Sequence, residues 1–136
     1  MSRVLLDTSA YCAAERGNEP LAEAIRRASE VVLTPVVLGE LRAGFMSGLR
    51  RNENEKKLAL FLDLSRVTVA PMGEETAHCY AVIKTALKKA GTPIPINDVW
   101  IAASAMQYGL TVVTTDKNFE RVPQIITMCF DPKGNH

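Results

Sequence analysis

The sequence predicts an α/β protein, a three-layer α/β/α sandwich around a central parallel sheet of four to five strands. Three observations carry this. Short runs rich in Val, Ile and Thr recur along the chain and are largely continuous rather than alternating, as in strands buried on both faces. Amphipathic helical stretches lie between them, and that alternation specifies layers joined by crossovers. Glycines close the two longest helical stretches.

The first strand is Arg3–Leu6, and Asp7 ends it. A helix starting near Ser9 would take Asp7 as its cap. In Pro20–Arg27, Leu21, Ala24, Ile25 and Ala28 keep helical spacing, with Pro20 near the start where its missing N–H costs nothing. Val31–Thr34 is the second strand. In "TPVVLGELRAGFMSG", Val37, Leu41, Gly44 and Gly48 make an apolar or small-residue stripe, and Glu40 falls inside it. Asn54–Leu64 puts Leu58, Phe61 and Leu62 on one side and its charges on the other. Val67–Ala70 is the third strand. Glu74–Ala90 is a long amphipathic helix ended by Gly91. The segment "GTPIPIN" is a stiff loop in which Pro95 restricts entry to the next helix, Asn97–Tyr108, itself ended by Gly109. Thr111–Thr115 and Ile125–Phe130 are the last strands. No repeat, low-complexity tract or linker interrupts the order, so residues 1–136 read as one domain.

Composition narrows the function. The chain is 47% hydrophobic and 23% charged, which suits a globular domain with one core. Its net charge of +1 excludes a broad basic coat for nucleic acid, so any such contact must use a local patch. No apolar run has the length of a membrane span, and Asp7 interrupts the first one too early for a signal peptide. Cys12, Cys79 and Cys129 are odd in number and widely spaced. They read as small buried or half-buried thiols in a reducing cytoplasm, not as disulfides or a zinc site. His78 reads as a helix-surface residue and His136 as a frayed terminus.

Four acids stand in odd places. Asp7 and Asp116 each follow the end of an apolar strand. Asp98 lies on the face defined by Ile101, Ala102 and Ala105, and Glu40 lies in the stripe described above. Each alone has a plain structural reading: a cap at Asp7, a cap at Asp98 or Asn97, a turn at Asp116 with Lys117 and Asn118, and an ion pair from Glu40 to Arg42 or Arg3. Together they converge on the carboxyl edge of a parallel sheet, where ligands bind near the switch in strand order. Four carboxylates cannot stay ionised together in a dry cleft without a counter-charge. A hard divalent cation with oxygen ligands, Mg²⁺ or Mn²⁺, supplies it and equips the site for phosphodiester hydrolysis. Thr8, Ser9, Asn97, Thr114 and Thr115 add neutral groups near the same edge that can orient carboxylates.

With "LLDTSAY", "TPVVLGELRAG", "PIPINDVWIAASA" and "LTVVTTDKNFERV" in register, the sequence resembles the PIN-domain family, and within it the VapC-type toxin ribonucleases of VapBC toxin–antitoxin pairs. The resemblance covers nearly the whole chain. It implies a PIN-like α/β/α sandwich and places Asp7, Glu40, Asp98 and Asp116 on the metal-binding quartet. Thr114 then matches the accompanying hydroxyl, and Asn97 stands where the family often has a polar neighbour. It also implies endoribonuclease activity with one or two Mg²⁺ or Mn²⁺ ions, a VapB-type antitoxin partner, a homodimer, and contact with operator DNA only through the antitoxin. A PIN nuclease of RNA processing and a silent PIN-fold binding module are the alternatives.

Neither histidine is placed to act as a base, so cleavage by an activated water should leave a 5′-phosphate and a 3′-hydroxyl. A phosphotransfer enzyme of the haloacid-dehalogenase kind would need a second acid two positions after Asp7, where Ser9 stands. Candidates to hold the RNA are Arg16, Arg42, Lys117, Arg121 and, by stacking, Tyr11. Trp100 reads as core. The runs Arg50, Arg51, Lys56, Lys57 and Lys84, Lys88, Lys89 read as solvated helix faces.

Overall fold

The computed structural model describes residues 2–134, so the expectation for His136 lies outside the described residues. Five strands form one sheet: β1 (Arg3–Leu6), β2 (Glu30–Leu33), β3 (Val67–Val69), β4 (Thr111–Thr114) and β5 (Thr127–Cys129). Every pairing is parallel, and the spatial order is β3-β2-β1-β4-β5. The continuous apolar runs are explained by burial: Leu5, Leu6, Val31, Leu33, Val112 and Val113 are at most 1% exposed. Leu5 pairs with Val32 on one side and Val112 on the other, which sets the central register.

Among the described residues six α-helices accompany the sheet: α1 (Thr8–Glu15), α2 (Glu19–Arg27), α3 (Pro35–Ser47), α4 (Arg51–Leu62), α5 (Glu74–Ala90) and α6 (Ile96–Tyr108). Helix starts follow local chemistry. Asp7, Asn18 and Thr34 each accept a first-turn N–H, and α2 and α3 carry proline in that turn. Gly91 and Gly109 close α5 and α6 at φ 70° and 67°, a left-handed conformation that a Cβ disfavours. A 3₁₀ turn covers Lys117–Arg121. None of these helices is long and apolar enough to cross a membrane.

Several expectations need correction. Beyond Leu41 the stripe on α3 does not continue through Gly44 and Gly48, which are exposed; it runs Val37, Leu41, Phe45 at four-residue steps. Thr34 does not extend β2 but caps α3. β5 is shorter than Ile125–Phe130 because it is an edge strand with a partner on one side only. Its last residue, Cys129, is exposed, whereas Cys12 is half-buried and Cys79 buried. Trp100 is not core: it is half-buried and stacks on Tyr80 at 4.1 Å at the margin of the cluster.

Candidate active site

The switch in strand order falls between β1 and β4, from which the chain proceeds to opposite sides of the sheet. Asp7 leaves β1 at that point, and its N–H donates to Val113 O at 3.3 Å, tying it to β4. Asp116 stands two residues beyond β4. Helices that follow or precede parallel strands run antiparallel to them, so α3 and α6 both begin at this edge. That brings Glu40 and Asp98 to it.

Asp7 is 4% exposed, and three donors hold it. Its Oδ1 accepts from the Ala10 N–H at 2.9 Å, and Oδ2 accepts from the Thr114 hydroxyl at 2.7 Å. The Ser9 hydroxyl lies 2.8 and 2.9 Å from the two oxygens and itself accepts from the Thr115 N–H at 3.0 Å. Thr114 Oγ1 accepts from the Asp116 N–H at 2.9 Å. One threonine hydroxyl thus links two acids. Both hydroxyl protons are committed to Asp7, so the 3.3 Å approach of Ser9 to Thr114 is a contact between oxygens.

Glu40 is fixed from two helices. Thr8 Oγ1 donates to Oε1 at 2.5 Å from α1, and Asn97 Nδ2 donates to Oε2 at 3.1 Å from α6. The ion-pair reading for Glu40 fails, because Arg42 pairs with Glu55 at 3.4 Å and Arg3 with Glu30 at 2.7 Å. The capping reading of Asp98 and Asn97 fails too: Pro95 is the N-cap of α6 and no side chain caps it. Asp116 closes its own turn, accepting from the Asn118 N–H at 2.9 Å and its side-chain amide at 3.3 Å.

The acids feel one another. Asp98 is pushed up to about 6, first by burial and then by the charge of Asp116; Asn118 works the other way, and Asp7 and Glu40 add smaller upward contributions. Asp7 is also raised, by burial first, against the pull of its Thr114, Ala10 and Ser9 hydrogen bonds. The Cys12 thiol is pushed up chiefly by burial; Arg16 opposes this, and Asp7 and Glu40 add to it. Repulsion among carboxylates is what a cation at this edge would relieve. The donors are all oxygen, the set a hard divalent ion takes, and Mg²⁺ needs only a few of them beside water. Among the described residues no three carboxylate, thiol or imidazole groups close into a finished ligand cage. The donor chemistry fits such an ion, with the acids held open by their own hydrogen bonds.

The neutral groups predicted from sequence divide by role. Thr8, Ser9, Asn97 and Thr114 each hold an acid, while Thr115 contributes its backbone N–H. Asn118 was not among the expected site residues; its signal is the Asp-x-Asn spacing of an Asx turn. Tyr11 is corrected: it is 4% exposed and packs edge-to-face on Phe61 at 5.4 Å, so its ring offers no face to a base. Arg16, Arg42, Lys117 and Arg121 are exposed. Of these, Arg121 is tied to Pro93 O at 3.2 Å.

A parallel sheet with an acidic switch point defines a class that comparison makes specific. The PIN domain family model matches residues 4–125, and the chain belongs to that family. Within it the similarity is to the VapC ribonucleases. Ribonuclease VapC5 of Mycobacterium tuberculosis is 33% identical over 85% of this chain and 84% of its own. Among solved structures, DNA-bound VapBC from Salmonella typhimurium matches at a TM-score of 0.80 and 26% identity, covering 95% of this chain and 98% of that one. VapBC-5 from Mycobacterium tuberculosis, a toxin–antitoxin system, matches at 0.74 and 26%, covering 95% and 99%.

Proposed function

We propose that this chain is a divalent-metal-dependent endoribonuclease, the toxin of a type II toxin–antitoxin pair. What supports this most is Asp98. It caps nothing, yet its carboxyl sits half-buried among three other acids and is raised to about 6. A carboxylate with no structural task at a ligand-binding edge is a functional candidate. In this reading Asp7, Glu40, Asp98 and Asp116 hold one or two Mg²⁺ or Mn²⁺ ions. Bound there, such ions supply an activated water and neutralise charge on the scissile phosphate.

The chain's own residues prepare that edge. Ser9 and Thr114 oppose the upward push of burial on Asp7, because hydrogen bonds to a carboxylate favour its charged form. Thr8 and Asn97 hold both oxygens of Glu40. Asn118 steadies Asp116. Among the described residues no imidazole is placed as a base, since His78 is exposed on α5. The RNA 2′-hydroxyl is therefore not called upon, and products carry a 5′-phosphate and a 3′-hydroxyl. By likeness to the VapBC complexes, a VapB-type antitoxin restrains the toxin and carries any contact with operator DNA. A homodimer working in the cytoplasm completes the reading.

The test is incubation of the purified protein with total RNA in Mn²⁺ or Mg²⁺, in chelator, and beside Asp7→Asn. Cleavage by the wild type alone, abolished by chelator, is expected. Equal cleavage by the variant, persistence in chelator, or a 2′,3′-cyclic phosphate product would overturn the proposal.

A further inference from the structure

Lys84, Lys88 and Lys89 look in sequence like one solvated run, but the fold separates them. Lys84 and Lys88, one turn apart on α5, line a recess of about 350 Å³ with Leu87, Pro93, Ile94 and Val99. Lys89 is exposed and takes no part in it. Leu87, Ile94 and Val99 are at most 7% exposed and back the recess from beneath, and its accessible apolar floor is made by exposed Pro93 with the stems of the two lysines. No carboxylate lines the recess, and among the described residues neither lysine makes an ion pair. Like charges four apart on a helix repel. Lys88 gains from the helix C-terminus, but Lys84 sits a turn too early to do so. Arg121 donates to the carbonyl of Pro93, bringing a third cation to the loop that walls the recess. Pro93, which lines the recess, is tied through Arg121 to the 3₁₀ turn that Asp116 caps, and this brings the recess beside the acidic edge.

We propose that this recess seats one nucleotide of the RNA next to the cleavage edge, its base on the apolar floor and its phosphate between Lys84 and Lys88. The inference rests on the ribonuclease reading and adds where the strand is held. The four acids repel a polyanion, so affinity must come from beside them, and this recess joins unpaired positive charge to apolar surface there. A floor without donors or acceptors grips a base without reading its edge, so the contact is tolerant of base identity.

The test uses the Asp98→Asn protein, so that binding is read without cleavage. Anisotropy of a labelled single-stranded RNA of about eight nucleotides is followed from about 0.05 to 0.2 M salt. Adding Lys84→Ala and Lys88→Ala should weaken binding at least about fivefold and flatten the log–log salt slope by about 0.7 or more, one phosphate contact on a single strand. Lys89→Ala should do neither. An RNA with one abasic position should bind the parent more weakly and should still lose affinity in the double-lysine variant, because its phosphates remain. Unchanged affinity and slope in that variant, at matched thermal stability, overturn the inference and leave the nuclease reading standing. So does a change in oligomeric state by sedimentation without a change in RNA binding, which makes the recess a self-association face. If Asp98→Asn binds no RNA and the wild type cuts none, the nuclease reading itself fails.

Discussion

Replacing Asp98 by Asn should make the metal-free protein more stable while removing its activity. The two shapes are nearly the same, and only the charge differs. A carboxyl moved from 3.8 to about 6 corresponds to about 3 kcal/mol between its protonation states. Asp98 is only half-buried, so water screens much of that, and about 1–1.5 kcal/mol is the expected gain at pH 7.5. For a domain of this size that raises Tm by about 3–6 °C. The folded carboxyl holds its proton to higher pH than the unfolded one. The wild type therefore loses stability as pH rises from about 4 through 6, and the variant should not. Below about pH 4 the two should converge. Chemical denaturation across pH 3.5–8 in chelator reads both effects, and Mn²⁺ should then stabilise the wild type alone. A variant no more stable than wild type at pH 7.5, with the same pH dependence, would refute the claim that burial and neighbouring charge hold this carboxyl at a cost.

Thr114→Val keeps the shape and removes the hydroxyl that serves Asp7 and the Asp116 N–H together. Stability should fall by about 1–2 kcal/mol in urea unfolding, and cleavage should drop at least about tenfold. Tyr11→Phe should leave stability unchanged or raise it by up to about 1 kcal/mol, because the Tyr11 hydroxyl is buried without a partner. A loss greater than about 1 kcal/mol there would show that the hydroxyl is bonded in solution.

The layers and the acidic edge were legible because they rest on short-range rules. A strand buried on both faces writes itself as a continuous apolar run. A first-turn acid on α6 is visible from Ile101, Ala102 and Ala105, all of which are buried as their spacing requires. What was not legible depends on partners distant in sequence. Tyr11 sits one position past Ala10 on α1, and only the arrival of Phe61 from α4 decides that its ring is covered. Gly44 fits an inner stripe by spacing, but Phe45 takes the place against the core. Lys84 and Lys89 are indistinguishable in the sequence until the 93–95 loop folds back beside one and not the other. The structural alternatives for the acids are decided only in three dimensions, where Asp7 caps α1 and Asp98 caps nothing.

The pairing of β1 with β4 also governs when the edge can come into being. Asp7 and Glu40 belong to the first third of the chain, and Asp98 and Asp116 to the last. The hydroxyl of Thr114 reaches Asp7 across 107 positions of sequence. A chain still emerging from the ribosome therefore carries Asp7 and Glu40 with nothing to face them. Cut anywhere between β3 and Asp98, the protein becomes two fragments with two of the four site acids each, and reassembly of the sheet at the β1–β4 seam is the step that joins them.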